Sequence, residues 1–228
     1  MSLAAARGPL APDRAGRFSA PVPAGLVYIE PHRRRIQALI GSEDVLDSES
    51  ALLVHRAGSA LSYAFPTEQV RDLPHELVPE APGYAVVPWD AVDTWIEEGR
   101  HLVNYPPNPY HRVDCRPTRR RLHVEVAGVV LVDTDETIIL FETGLEPKLY
   151  VSRASVSTEH LHRSETTTYC NYKGYATFWS ATIGGEVLGD VAWSYEDPLP
   201  ESVLIKGCVS FDPERVDIVA DIPPEHGG

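Results

Sequence analysis

The chain has 228 residues, and its 33 acidic side chains outnumber its 20 basic ones, so the formal net charge is −13. A surface this acidic repels phosphate backbones and anionic lipid headgroups, which argues against nucleic-acid binding and membrane association. Hydrophobic residues make up 43% of the chain, which is typical of a globular protein, yet no apolar run reaches membrane-spanning length. Composition therefore excludes several classes of function without naming a reaction.

The cysteines and the N-terminal residues predict a cytoplasmic protein. Cys115, Cys170 and Cys208 are odd in number and widely spaced, which fits a reducing compartment and argues against a disulfide framework or a CxxC zinc site. The first twenty residues carry arginines but lack the apolar core of a secretory signal. We expect them to form a flexible arm.

The elements predicted in chain order are almost all strands, because β-branched and aromatic residues alternate between turn signals. The predicted strands are Val27–Ile29, Ile36–Ile40, Ala51–His55, Ser62–Phe65, Leu122–Val126, Val129–Val132, Thr137–Phe141, Tyr175–Ile183, Val209–Phe211 and Val216–Val219. Hairpin turns are predicted at Asp133–Glu136 and at Gly184-Gly185. One short helix is predicted over Asp90–Gly99, with Asp90 as its N-cap and Gly99 as its end.

Two parts of the sequence also resemble each other. Arg33–Ile36 recurs as Arg119–Leu122, 86 residues later, and the same shift aligns Asp47 with Asp133. Such self-similarity indicates two related domains. We predict an N-terminal arm (1–20), a first, degenerate domain (21–116), a second domain (117–222) and a C-terminal tail (223–228).

Matches further along the chain need a larger shift. Pro88-Trp89 aligns with Ala192-Trp193 at a shift of 104, and Arg112–Asp114 aligns with Arg215–Asp217 at a shift of 103. The second copy would then hold about 18 extra residues somewhere between residues 152 and 193. The polar segment Thr166–Gly174 lies inside that interval, and we expect it to be an elaborated loop.

Five segments together resemble one known family, the domain of unknown function 427. They are Val87–Asp93, Asn108–Asp114, Leu140–Leu145, Thr168–Gly174 and Ala192–Tyr195. The resemblance covers about residues 25–221, in the two-copy form of the family. It implies an all-β fold of two tandem β-tent-like domains, each built from small antiparallel sheets. Asn171 departs from the family, which usually has proline there, and this departure loosens the turn before Lys173.

The resemblance also implies what to expect of metals and of the reaction. Relatives of this fold often hold zinc through paired CxxC motifs, and because this chain has none, we expect no metal and no cofactor. The family carries a nucleotidyltransferase label. Asp44 and Asp47 are the nearest match to its paired Mg²⁺-binding aspartates, but their spacing of three does not point both carboxylates one way along a strand. An acidic hairpin turn is the better interpretation.

Two charged residues are the main catalytic candidates. Lys173 is one of only three lysines beside seventeen arginines, which favours a specific role over mere solubility. Glu142 shares a strand face with Ile138 and Leu140, so it is drawn toward the interior, where a carboxylate needs a partner. The alternatives are a solvated turn lysine and a strand-end carboxylate paired with a surface arginine.

We therefore predict a site in the second domain that acts on a small polar or anionic metabolite without a metal. The predicted catalytic residues are Glu142, Lys173 and Tyr150, and the predicted substrate-binding residues are Thr168, Cys170, Tyr172, Trp193 and Tyr195. The alternative is a small-molecule-binding protein that uses the same pocket without catalysis, and nucleotidyl transfer is a third possibility. For partners we expect a small-molecule ligand, no nucleic acid and no membrane, with the chain a monomer or a homodimer.

Overall fold

In a computed structural model the protein is an all-β chain of nineteen strands, described for Leu3, residues 7–23 and residues 25–222. The chain forms two compact units, the first ending at His111 and the second beginning at Arg112. The predicted all-β class of small antiparallel sheets is confirmed. Within the described part of the chain, no helix has the length and apolarity needed to cross a membrane.

The first unit contains two antiparallel sheets. Its strands are β1 (Val27–His32), β2 (Ile36–Ile40), β3 (Glu43–Ser48), β4 (Ala51–Arg56), β5 (Ser62–Pro66), β6 (Glu76–Leu77), β7 (Tyr84–Val86), β8 (Thr94–Glu97) and β9 (Arg100–Leu102). One sheet has the order β1-β4-β5-β7-β6 and the other the order β3-β2-β8-β9. Their main core includes Ile36, Tyr63, Phe65 and Trp95, all almost fully buried.

The second unit also contains two antiparallel sheets. Its strands are β10 (Val113–Thr118), β11 (Leu122–Val126), β12 (Val129–Thr134), β13 (Thr137–Glu142), β14 (Lys148–Val151), β15 (Leu161–Cys170), β16 (Gly174–Ile183), β17 (Glu186–Ser194), β18 (Val209–Phe211) and β19 (Asp217–Ala220). The sheets have the orders β10-β13-β14-β18-β17-β16-β15 and β12-β11-β19. The long strands β15 and β16 have no counterpart in the sheet orders of the first unit, whereas β17 lies beside β18 as β6 lies beside β7.

Strand pairing in the two units follows the same register at the shift of 86. Val27 pairs with Arg56, and Val113 pairs with Glu142. Because the sheet orders β1-β4-β5-β7 and β10-β13-β14-β18 also correspond, we propose that the units are copies of one fold. The pairing supports this proposal for the strands only.

The larger shifts of 103 and 104 are wrong. Val113 and Asp114 lie in β10, the first strand of the second unit, whereas Asp217 begins β19, which takes the place of β8. The match at 103 misled because the run Arg-Val-Asp occurs at the start of β10 and again at the start of β19. Thr166–Gly174 is the end of β15, a tight turn and the start of β16, so the expected loop is wrong.

The helix expected over Asp90–Gly99 is also wrong. A single 3-10 turn, Trp89–Ala91, is followed by Val92 in an extended conformation and by β8. Trp95 and Glu97 are buried while their neighbours Thr94 and Ile96 are half-buried, which is the period of a strand. The β-branched residues of this segment favour that extended backbone.

The boundary and the N-terminal arm differ from expectation too. The expected boundary between residues 116 and 117 cuts β10, which pairs with β13 along its whole length. In the arm, the described residues form hydrogen-bonded turns, Ala11 is 1% exposed, and the Leu3 N–H donates to His55 Nδ1 at 3.1 Å. The predicted tail, 223–228, lies outside the described residues.

Candidate functional site

Glu142 is the last residue of β13, and its side chain lies in the interior. It is 8% exposed, whereas its neighbour Phe141 is 39% exposed on the opposite face of the strand. Alternation along Ile138, Leu140 and Glu142 had predicted this inward direction. The carboxylate accepts a hydrogen bond from the Lys173 ammonium group, and the two side chains form an ion pair.

Lys173 reaches Glu142 from the tight turn between β15 and β16. Its N–H donates to the Cys170 carbonyl, and its own carbonyl accepts from the Leu199 N–H at 3.1 Å, so the turn is held on both sides. The next residue, Gly174, has a φ of +92°, and a Cβ there would lie 3.4 Å from the Asp197 carbonyl oxygen. Only glycine fits this conformation without strain. The Lys173 side chain is 11% exposed, so it is not a solvated turn lysine.

Two buried phenols accompany the ion pair. The Lys173 ammonium lies 5.9 Å from the centre of the Tyr195 ring, close enough for a cation–π interaction. Tyr150 is 1% exposed, and its hydroxyl accepts a hydrogen bond from Trp193 Nε1 at 2.9 Å. Burial raises the pKa of both tyrosines above the ordinary value. Both phenols therefore keep their protons at neutral pH and can donate them in hydrogen bonds.

The cysteines are free thiols in different environments. Cys115 is buried in the same apolar cluster as Tyr150 and Tyr195, and burial raises the pKa of its thiol to about 11. Burial also raises the pKa of Cys208. Cys170 is half-buried at the end of β15. The buried thiols behave as small hydrophobic groups rather than as nucleophiles.

The remaining predicted binding residues divide into two groups. Tyr172 and Trp193 are half-buried and pack against the cluster that contains Tyr150. Thr168 is exposed on β15, where it pairs with Ala176, and in the described part of the chain it hydrogen-bonds neither Glu142 nor Lys173. The structure thus brings the ion pair and the aromatic residues together and leaves Thr168 at the surface.

The first unit contains a buried polar network that the sequence did not reveal. The Glu97 carboxylate accepts hydrogen bonds from Tyr63 at 2.5 Å and from Arg34, and it lies 2.9 Å from His32 Nε2. Burial alone would raise the pKa of Glu97, but these hydrogen bonds outweigh it and lower the pKa to about 2. The run Arg33–Arg35 in an acidic chain is a signal that carboxylates lie nearby, but nothing in the sequence indicated which ones.

The paired aspartates of the acidic hairpin do not form a joint site. Asp47 is bound by the Arg35 guanidinium, and the equivalent Asp133 is bound by Arg121 at 3.0 Å in the second unit. These arginines belong to the runs Arg33–Arg35 and Arg119–Arg121, so each run supplies a partner for a neighbouring carboxylate. Each hairpin is therefore held by a surface ion pair in its own sheet.

Comparison with known proteins identifies a family for the second unit. The family model described as "Domain of unknown function (DUF427)" matches residues 114–222, and this part of the chain belongs to that family. The match contains Glu142, Lys173 and the phenols around them. No curated protein matches the chain.

Proposed function

We propose that the second unit, as a member of the DUF427 family, is an enzyme that performs acid–base chemistry on a small polar or anionic metabolite. The observation that carries the proposal is the buried ion pair between Glu142 and Lys173 beside the Tyr195 ring. The Glu142 carboxylate can act as a base, the Lys173 ammonium can hold negative charge, and the protonated Tyr195 phenol can donate a hydrogen bond. A base and a proton donor held side by side are what acid–base catalysis needs.

The phenols support the donor role. Tyr195 is only 6% exposed, its ring lies beside the Lys173 ammonium, and burial raises the pKa of its phenol. The Tyr150 hydroxyl accepts from Trp193, which leaves its own proton available. A substrate oxygen that develops negative charge near Lys173 would receive hydrogen bonds from these groups.

Non-catalytic binding is the second candidate, and one observation favours it. Glu142 and Lys173 neutralise each other beside the Tyr195 ring, which suits recognition of a small polar molecule without proton transfer. We place either activity in the cytoplasm, because all three cysteines are free thiols. The expected ligand is a small molecule, and the chain is proposed to act as a monomer or homodimer.

The two candidates are separated by Glu142→Gln. A panel of small polar and anionic metabolites is first screened for thermal stabilisation of the native chain, and each stabilising compound is then followed by NMR for conversion. If the unit is an enzyme, Glu142→Gln abolishes conversion and changes affinity by less than about threefold, since the amide keeps the shape but not the base. Conversion that survives in Glu142→Gln refutes the catalytic role.

Lys173 provides the matched test of charge recognition. Lys173→Gln should lose the stabilisation by anionic compounds, whereas Lys206→Gln should retain it, because Lys206 forms only an exposed ion pair with Asp197. Lys173→Arg keeps the positive charge and serves as a folded reference if the glutamine variant is unstable. Equal effects at Lys173 and Lys206 would remove Lys173 from the site.

A further inference from the structure

The second unit contains an apolar cavity on the other side of β14 from the ion pair. Its volume is about 80 Å³, and it lies between the small sheet and strands β14 and β18. Its apolar lining includes Leu122, Leu149, Phe211, Ile218, Ala220 and Ile222. Leu149 and Tyr150 are adjacent in β14 and belong to separate apolar clusters, so this cavity is distinct from the Glu142 site.

The first unit shows what fills the corresponding space. In β2 and β8, Ile36 pairs with Glu97, and in β11 and β19 the pair is Leu122 with Ala220. Ala220 therefore takes the place of Glu97. By the same comparison of registers, Tyr63 pairs with Leu53 in the first unit, and Leu149 pairs with Ile139 in the second. Leu149 therefore takes the place of Tyr63.

These replacements explain the cavity. In the first unit the Tyr63 phenol and the Glu97 carboxylate fill the space between the sheets and hydrogen-bond each other. In the second unit the shorter side chains of Leu149 and Ala220 cannot reach as far. Packed interiors rarely leave such space empty, since unfilled volume forfeits dispersion contacts. In the first unit the side chains of Tyr63 and Glu97 fill the space that stays open in the second unit.

An arginine side chain lies near the cavity. In the first unit Arg34 binds the Glu97 carboxylate, and its equivalent 86 residues later is Arg120. Arg120 donates to the Asp221 carbonyl at 3.1 Å and lies 3.4 Å from the Asp221 carboxylate, and Asp221 stands between the lining residues Ala220 and Ile222. Its side chain remains 34% exposed. Arg120 thus contacts a residue that lies between two lining residues, and the lining itself includes a second cation, Lys148.

We propose that this cavity binds a small branched aliphatic carboxylate, with the alkyl group between the sheets and the carboxylate on Arg120. The ligand then replaces the missing Glu97 side chain of the first unit. A cavity of about 150 Å³ holds benzene, so one of about 80 Å³ takes a branched group of roughly three or four carbons. An arginine guanidinium is the natural partner of a carboxylate, because it donates two parallel hydrogen bonds.

The test uses 3-methylbutanoate as the probe and the full chain as the protein. Titration is followed by calorimetry and by the methyl NMR signals of Leu122, Leu149 and Ile218. We expect saturable binding with shifts at these methyl groups, and weaker binding of 3-methylbutan-1-ol by about tenfold, since the alcohol has no charge for Arg120. Equal affinity of the acid and the alcohol overturns the proposal.

Substitutions at two positions and one control variant complete the test. Ala220→Leu fills the cavity and should abolish binding, and Ala220→Val is the milder replacement if the leucine variant fails to fold. Arg120→Gln should weaken the acid about tenfold and leave the alcohol unchanged. Arg119→Gln is the control, because Arg119 is 73% exposed and pairs only with surface carboxylates. Binding that survives cavity filling, or equal losses at Arg119 and Arg120, overturns the proposal.

Discussion

Removing the Lys173 ammonium should strongly destabilise the second unit. In Lys173→Met the Glu142 carboxylate stays in a site that is 8% exposed, where it has lost its cationic partner. Breaking a buried ion pair from one side costs about 3–5 kcal/mol. For a unit of this size that loss lowers the unfolding midpoint by about 10 °C or more. The measurement is thermal and urea unfolding, with hydrogen exchange in β13 and β16 to locate the loss.

The double variant decides whether the loss of stability comes from the buried Glu142 carboxylate that remains after the ammonium is removed. Glu142→Met with Lys173→Met replaces the pair by apolar side chains of similar length, and it should recover stability to within about 2 kcal/mol of the native chain. Lys206→Met is the control, because its ion pair with Asp197 is exposed and should contribute nothing measurable. If Lys173→Met is no more harmful than Lys206→Met, the pair does not carry a buried charge and the reasoning is refuted.

Three further predictions concern the acid response, the thiols and the family label. The pKa of Glu97 is about 2 in the folded chain against an ordinary 4.5, so its stabilising contribution is present above pH 4.5 and is lost as the pH falls toward 2. Glu97→Gln should therefore flatten the curve of unfolding free energy against pH between 4.5 and 2. An unchanged curve would contradict this prediction. Cys115 and Cys208, whose pKa values are raised by burial, should stay unmodified by iodoacetamide at pH 7.5 until the chain unfolds, as mass spectrometry would show. Nucleoside triphosphates with Mg²⁺ should not raise the unfolding midpoint, because Asp47 is already bound by Arg35; a clear rise would revive nucleotidyl transfer.

The sequence predicted strands well where side chains alternate within one sheet. The hairpins around 133–136 and 184–185 lie where turn residues separate β-branched runs, and both central glycines of the second turn have positive φ. Prediction failed at residues 90–99, where an N-cap-like aspartate and a terminal glycine resemble a helix. The segment is extended because Trp95 and Glu97 both face the core of the first unit, which local patterns do not show.

The site could be predicted only in part. Alternation placed Glu142 inside the second unit, and the rarity of lysine singled out Lys173. Their contact depends on the packing of a hairpin turn against a strand about thirty residues away, which no local pattern specifies. The Glu97 network was missed for the same reason, since His32, Tyr63 and Glu97 lie on three different strands. Side chains that meet across sheets are set by register and burial, and these appear only in the folded chain.

The two units differ in how their interior space is filled. The first unit satisfies its buried carboxylate internally, because Glu97 already has partners in His32, Tyr63 and Arg34. The second unit has a cavity where Glu97 would stand. Unfilled space lowers stability unless a ligand supplies the missing contacts. The stability of the second unit should therefore depend on small molecules, whereas that of the first depends on its own side chains.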